Sequence, residues 1–121
     1  MRSYNNYSLI WMSIQTSDTG HSPEFILVPE GGQLTHLIYI CRGASSSGGT
    51  SLMELNVFNK DNPSGVTKAS WTQPAGLDDN TATRVGIPTM HVKTGDVLEL
   101  RQDSSTNTNT QYSHYAAVIK R

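Results

Sequence analysis

The sequence has little charge of either sign. Among its 121 residues, nine are Lys or Arg and ten are Asp or Glu, which gives a net charge of -1 and a charged fraction of 16%. A chain without a basic excess lacks the electrostatic signature of a nucleic-acid-binding protein. No apolar run approaches the roughly 20 residues that a membrane-spanning helix requires. Neither nucleic acid nor membrane is therefore an expected partner.

Cysteine is almost absent as well. Cys41 is the single cysteine, which excludes an intrachain disulfide and any multi-cysteine zinc site. It ends the apolar run 37–41, where we expect a small buried side chain rather than a reactive thiol. The apolar stretch 9–14 contains Ser13 and is too short and too polar for a signal peptide. We therefore expect a protein made in a reducing cytoplasm.

Small polar residues are abundant instead. The chain contains 14 Ser, 13 Thr and 8 Asn, together with 10 Gly and 5 Pro. Thr favours strands, while Ser, Asn and Gly favour turns, so this composition indicates β-structure. No stretch has the apolar spacing of an amphipathic helix, and short apolar runs closed by turn residues recur along the chain.

These runs predict about eight strands in a single domain spanning residues 1–121. The predicted strands are 8–14, 24–28, 34–42, 53–57, 66–71, 81–87, 97–101 and 112–119. Their number and spacing are typical of an all-β, antiparallel jelly-roll sandwich. Crossover helices, which a parallel sheet would need, are not indicated. Gly86 and Pro88 mark the sixth strand as an edge strand or a bulged one.

No pattern of catalytic or metal-binding residues is found. The sequence has no Gly-x-Ser-x-Gly motif, and its four histidines have none of the local spacings of metal ligands. We interpret the acidic pair Asp78 and Asp79 as solvated carboxylates in a loop rather than as calcium ligands. We therefore expect neither an enzyme nor a metal or other cofactor. The histidines are His21, His36, His91 and His114.

Aromatic residues lie close to both ends of the chain. If the first and last strands are neighbours in one sheet, side chains from the two ends of the chain can lie next to each other on the same face of that sheet. Tyr and Trp are enriched in interface cores, so the cluster is a candidate subunit contact, with ordinary packing at a sandwich edge as the alternative. The low charge fits a chain covered by sister subunits. The candidate interface residues are Tyr4, Tyr7, Trp11, Tyr112 and Tyr115.

Two segments resemble trimeric jelly-roll proteins. Residues 90–100 resemble the Gly-Asp-x-Leu-x-Leu penultimate hairpin of tumour-necrosis-factor-like domains and complement globular heads. The resemblance implies that Gly95 forms a tight turn, that Asp96 caps it, and that Leu98 and Leu100 point into the sandwich. Residues 26–34 are similar to a strand-turn-strand segment of phage virion jelly rolls. Such domains occur as capsid decoration (cement) proteins and as fibre tips.

The resemblance implies a structural role in a bacteriophage virion. We expect a homotrimeric capsid decoration protein, made in the host cytoplasm, that binds and stabilises the shell of major capsid protein. One domain starting near Met1, without a shaft, favours this assignment. Loops 43–49 and 103–110 are candidates to touch the capsid. The alternative is the receptor-binding head of a tail fibre or baseplate, with aromatic side chains stacked on host-surface glycans.

Overall fold

The structure is a computed structural model that describes residues 7–17, 20–43, 50–74, 82–106 and 111–121. Loop residues 44–49 and 107–110, Tyr4 and the acidic pair at 78–79 lie outside the described residues. Within them the chain forms nine strands and no helix. The strands are β1 (Tyr7–Ser17), β2 (Gly20–Ser22), β3 (Glu24–Leu27), β4 (Gly32–Gly43), β5 (Thr50–Asn59), β6 (Asn62–Pro74), β7 (Thr83–Val92), β8 (Val97–Ser105) and β9 (Gln111–Lys120).

The strands form two antiparallel sheets packed as a sandwich. The five-stranded sheet has the order β2-β1-β9-β4-β7, and the four-stranded sheet has the order β3-β8-β5-β6. β1, the first strand, pairs with β9, the last. When the three-residue β2 is left out, β3 is the second strand of the chain, and in the other sheet it pairs with β8, the second-last. This nesting of strand pairs is the arrangement of a jelly roll. The predicted all-β antiparallel sandwich is confirmed, and all eight predicted strands are present.

β2 was not predicted. The predicted strands 8–14 and 24–28 leave residues 15–23 as a connection, whereas β1 continues to Ser17 and β2 pairs back onto it from Gly20 to Ser22. The segment is wholly polar at these positions, so it has no alternating apolar pattern for a sequence analysis to detect. Its strand character comes from backbone pairing with β1 at the sheet edge.

β7 runs past Pro88, where the predicted sixth strand stops. Leu34 pairs with Met90 and His36 pairs with Gly86, so three residues of β7 lie opposite one residue of β4. β7 is also the last strand of its sheet. Proline cannot donate a ladder hydrogen bond, and an edge strand with a bulge does not require one. The expected edge or bulge is confirmed, but the predicted end of the strand is wrong.

The core lies between the two sheets, and on β1 it follows the alternation of the strand. Ile10, Met12 and Ile14 face inward from β1, while Leu98 and Leu100 face them from β8 and are fully buried. Cys41 is buried with its Sγ 3.3 Å from the Ser113 hydroxyl, in agreement with the expected small buried side chain. Because one face of every inner strand fills this core, the opposite faces form the two outer surfaces of the molecule.

The turn between β7 and β8 has the geometry that the family resemblance implies. Gly95 has a φ of +92°, in the left-handed region that favours glycine. The Asp96 carboxylate accepts a hydrogen bond from the Lys93 N–H at 2.9 Å, and the Asp96 N–H donates to the Lys93 carbonyl at 3.0 Å. A second carboxylate oxygen accepts from the Asn59 amide at 3.4 Å. Asp96 therefore joins the β5–β6 turn to the β7–β8 turn.

Asp96→Ala is expected to lower the free energy of unfolding by about 1–3 kcal/mol, because the Lys93 N–H then loses its acceptor in a part-buried turn. Asp61→Ala is the matched control, since Asp61 is an exposed aspartate in the neighbouring turn. Urea denaturation at a fixed protein concentration measures both. Equal stability of the two variants would show that the Asp96 carboxylate does not hold the turn.

Candidate functional site

The outer face of the five-stranded sheet exposes large apolar side chains. On β1, Tyr7, Leu9 and Trp11 are 56%, 51% and 59% exposed, and they alternate with the buried Ile10 and Met12. Strand alternation places these three side chains on one side of the sheet, away from the core. Half-exposed residues of this size in succession are unusual on a solvent-facing strand, because apolar groups are normally buried.

The neighbouring strands continue this surface. Trp11 pairs with Ala116 of β9, and Ala116 pairs with Ile38 of β4. One row further, Leu9 pairs with Val118. A shallow cavity of about 190 Å³ lies beside the Trp11 ring, with Ile38 and Ala116 among its lining residues. We call this surface the outer apolar face; it consists of the exposed Tyr7, Leu9 and Trp11, the half-buried Ile38 and Ile40, and Ala116 and Val118, which lie on the same side of the sheet but are themselves buried.

The area of this face is suited to a protein contact. An aromatic side chain buries roughly 150–250 Å² when covered, so covering the exposed halves of Tyr7 and Trp11 removes roughly 150–250 Å² from water. Leu9, Ile38 and Ile40 enlarge the patch beyond that. The result is of the order of the largest apolar patch on a typical monomer, roughly 300–600 Å², and the largest patch of a monomer is often functional. The outer apolar face is therefore the main candidate for an interface.

The four-stranded sheet presents a more polar outer face. Its centre carries Asn56, which donates to the Glu99 carboxylate at 2.8 Å, and Glu54, whose carboxylate lies 3.5 Å from Arg101. At one edge Phe25, exposed like Leu27 beside it, packs on the Phe58 ring with a centroid distance of 5.9 Å. Leu52 is 38% exposed on the inner strand β5. In the described part of the chain both sheets therefore expose apolar side chains, but the five-stranded sheet places three large ones, Tyr7, Leu9 and Trp11, in succession on one strand.

The predicted interface residues separate into two groups. Tyr7, Trp11 and Tyr112 lie on the outer face of the five-stranded sheet, since β1 and β9 are paired as the interface hypothesis requires. Tyr115 is fully buried and faces the core, which removes it from this surface. Successive side chains of a strand point to opposite faces of the sheet, so two residues an odd number of positions apart lie on opposite faces. Tyr115 is three positions from Tyr112 and therefore points to the other face. Tyr4 lies outside the described residues.

Tyr115 is instead the centre of a buried polar chain between the sheets. Its hydroxyl accepts a hydrogen bond from Trp71 Nε1 at 3.0 Å and donates to Gln73 Oε1 at 2.5 Å. Gln73 Nε2 then donates to Gln111 Oε1 at 3.0 Å. The Tyr39 ring stacks on Tyr115 with a centroid distance of 4.8 Å. Burial raises the pKa of Tyr115 well above its ordinary value of 10.0, so the hydroxyl stays protonated and donates.

A second feature of the five-stranded sheet is an open cavity at the β2 end of its outer face. It has a volume of about 440 Å³, and its lining includes Ser13 and His114, which are hydrogen-bonded with 2.9 Å between Oγ and Nδ1. Tyr112, Gln15 and Glu24 also line it. Neither Ser13 nor His114 was predicted to be a site residue. They are 101 positions apart in the sequence, and the sequence alone does not show which residues of two distant strands are paired.

The described residues contain no cluster of three or more His, Cys, Asp or Glu side chains arranged to hold a metal ion. His36 is the described histidine on β4, and its Nδ1 lies 2.9 Å from the Thr35 hydroxyl. Burial and the nearby Arg84 charge lower its pKa below the ordinary value of 6.5. Within the same part of the chain, no helix is long and apolar enough to cross a membrane.

Comparison with known proteins gives no relative: the chain matches no protein-family model and no curated protein sequence.

Proposed function

We propose that the protein is a structural component of a bacteriophage virion, a capsid decoration protein that forms a homotrimer through the outer apolar face. The observation that supports this most directly is the succession of Tyr7, Leu9 and Trp11 on β1, each more than half exposed. A second copy of the chain is the occupant that we assign to this face. The residues of this face carry no formal charge, so covering it removes apolar area from water without leaving one of its own charges buried and unpaired.

The size of the face supports repeated contacts between copies. A stable interface covers roughly 800 Å² on each partner, and the apolar patch estimated above supplies a large part of that area. Trp is among the residues that dominate interface energetics when its ring fills a pocket. The shallow cavity bounded by Ile38, Ile40 and Ala116 beside the Trp11 ring provides such a pocket. We propose three copies because the jelly-roll proteins that residues 90–100 resemble are trimers.

The four-stranded sheet remains open in this arrangement. We assign its exposed edge, with Phe25 and Leu27, to contact with the major capsid protein. A trimer that bridges several capsid subunits binds only the assembled shell, and so it stabilises assembly by mass action. The low charge fraction of 16% suits a subunit whose sides are covered by neighbours.

The test is binding to undecorated shells. The purified protein is mixed with shells assembled from the major capsid protein of the same virus and sedimented. We expect saturable cosedimentation and a higher melting temperature of the shell. Phe25→Lys is expected to weaken shell binding at least tenfold, while Lys60→Ala, a change at the exposed turn after β5, is the control. Absence of cosedimentation by the unmodified protein contradicts the decoration function.

The open cavity at Ser13 and His114 favours a second candidate, the glycan-binding head of a tail fibre or baseplate. Its mostly apolar lining, which includes the half-exposed Tyr112, carries a few polar groups; this combination is typical of small-ligand sites, and a purely mechanical shell subunit does not require it. A decoration protein needs no affinity for saccharides, so glycan binding without shell binding would favour this alternative.

A further inference from the structure

Three of the four histidines of the chain lie on the outer side of the five-stranded sheet. His36 pairs with Val118 on β9, and His114 pairs with Ile40 on β4. Residues directly opposite each other in an antiparallel pair share one side of the sheet, so both imidazoles lie beside members of the outer apolar face. His91 is on the same side but on the edge strand β7, at the margin.

From this placement we infer that acid dissociates the trimer, because protonation of His36 and His114 puts charge into the contact made by the outer apolar face. The inference rests on the proposed trimer, since it concerns the same surface. Histidine is the side chain whose charge changes between about pH 5 and pH 8. A second copy can cover a neutral imidazole, whereas covering an imidazolium without a partner costs its desolvation free energy.

The hydrogen bonds of His36 show which ring nitrogen takes up the proton. The Thr35 hydroxyl donates to the Val118 carbonyl at 3.3 Å, so it accepts from His36 Nδ1, which lies 2.9 Å away. Nε2 is then the unprotonated nitrogen of the neutral ring. Burial and the Arg84 charge lower the pKa of His36 below 6.5 already in the single chain. Protonation at Nε2 therefore takes place below pH 6.5.

His114 lies at the other end of the same face. Its Nδ1 is 2.9 Å from Ser13 Oγ. It also lines the shallow cavity beside the Trp11 ring, the pocket that a neighbouring copy fills in the proposed trimer. Aliphatic side chains such as Ile38 and Ala116 share that lining and cannot pair with an imidazolium. A charge at His114 thus falls inside the contact.

The charged groups around these histidines are mainly cationic. Arg84 and Lys120 repel an imidazolium on this side of the sheet, whereas the Glu24 carboxylate, which lines the open cavity with His114, favours one. One carboxylate against two permanent cations and two added charges leaves the described part of this surface positive. The titratable and charged residues that share or border this side are Tyr7 on β1, Arg42 on β4 (whose side chain lies outside the described residues), Arg84 and His91 on β7, Tyr112 and Lys120 on β9, and Glu24 after β2.

The direction of the pH dependence follows from these surroundings. Covering the face disfavours the charged imidazoles, so the separated copies bind more protons than the trimer does. The trimer is therefore fully stable above the ordinary histidine pKa of about 6.5 and loses stability as the pH falls below it.

The test is light scattering after size exclusion at about pH 7.5 and about pH 5.5, which bracket the titration of histidine. We expect a mass of three chains at the higher pH. At the lower pH we expect the concentration of half-dissociation to rise at least about tenfold. His36→Gln combined with His114→Gln is expected to remove this rise, because glutamine forms hydrogen bonds but takes up no proton in this range. His91→Gln, at the margin of the same side, is the matched control and is expected to retain it.

The outcomes separate this inference from the proposed trimer. A trimer that is equally stable at both pH values overturns the inference and leaves the proposed trimer intact, and so does a rise that the double variant retains. Loss of the fold at the lower pH, checked by circular dichroism, also overturns it. A monomer at the higher pH contradicts the proposed trimer and the inference together. Each single substitution is expected to give a smaller rise than the unmodified protein shows, which keeps the test decisive if the double variant does not assemble.

Discussion

Replacing Trp11 with lysine is expected to convert the proposed trimer into a monomer. Trp11 is the most exposed residue of the outer apolar face, and its strand neighbours are small or aliphatic. In an interface its ring would lose all contact with water, and a buried tryptophan is a typical hot spot worth at least about 2 kcal/mol. A lysine at that position adds an unpaired charge, which the apolar neighbours Ala116 and Leu9 cannot compensate. Light scattering after size exclusion measures the change in mass.

Phe25→Lys is the matched control for this experiment. Phe25 is 56% exposed, almost the same as Trp11, but it lies on the four-stranded sheet. The substitution makes the same change in charge, and also removes an exposed aromatic ring, on the opposite side of the sandwich. We expect it to leave the solution mass unchanged. Dissociation by both variants would mean that general loss of stability, and not the outer apolar face, controls assembly.

Tyr115→Phe is expected to lower the free energy of unfolding by about 1–3 kcal/mol. Removing the hydroxyl leaves Gln73 Oε1 without its donor and Trp71 Nε1 without its acceptor. An unsatisfied buried polar group costs its desolvation free energy, and this site is fully buried at Tyr115 and Gln73. Urea denaturation at one protein concentration measures the change. Tyr112→Phe, on the same strand but exposed, is expected to change the free energy of unfolding by less than about 0.5 kcal/mol.

The pH dependence gives a second measure of the Tyr115 hydroxyl. Because its pKa is raised in the folded protein, the unfolded chain releases this proton first as the pH rises above 10.0. The contribution of the hydroxyl to stability is therefore complete below pH 10 and is lost progressively above it. The difference in unfolding free energy between the unmodified protein and Tyr115→Phe should narrow above pH 10. A difference that stays constant would contradict the assignment of a buried neutral phenol.

The strands were predictable because burial leaves a period-two pattern in the sequence. Met53, Leu55 and Val57 show it on β5, and the structure buries all three. β2 escaped prediction because pairing at a sheet edge requires no apolar residues. The end of β7 was misplaced because Pro88 is tolerated where a bulged edge strand needs no donor.

The candidate site was predictable only in part. Aromatic residues near both termini indicated a shared surface, and pairing of β1 with β9 brings Tyr7, Trp11 and Tyr112 onto it. Tyr115 lies on the core face instead, because proximity along the chain does not determine the face of a strand. The open cavity at Ser13 and His114 could not be predicted from the sequence. It depends on the register that sets Ser13 opposite His114, and register is determined by the folded sheet.

The solution mass of the unmodified protein tests the central claim most directly. The chain has a mass of 13.3 kDa, and light scattering distinguishes one copy from three without reference to shape. Association through the outer apolar face in a closed threefold ring predicts a mass three times that of the chain over a range of concentrations. A stable mass of 13.3 kDa at all concentrations would contradict the account.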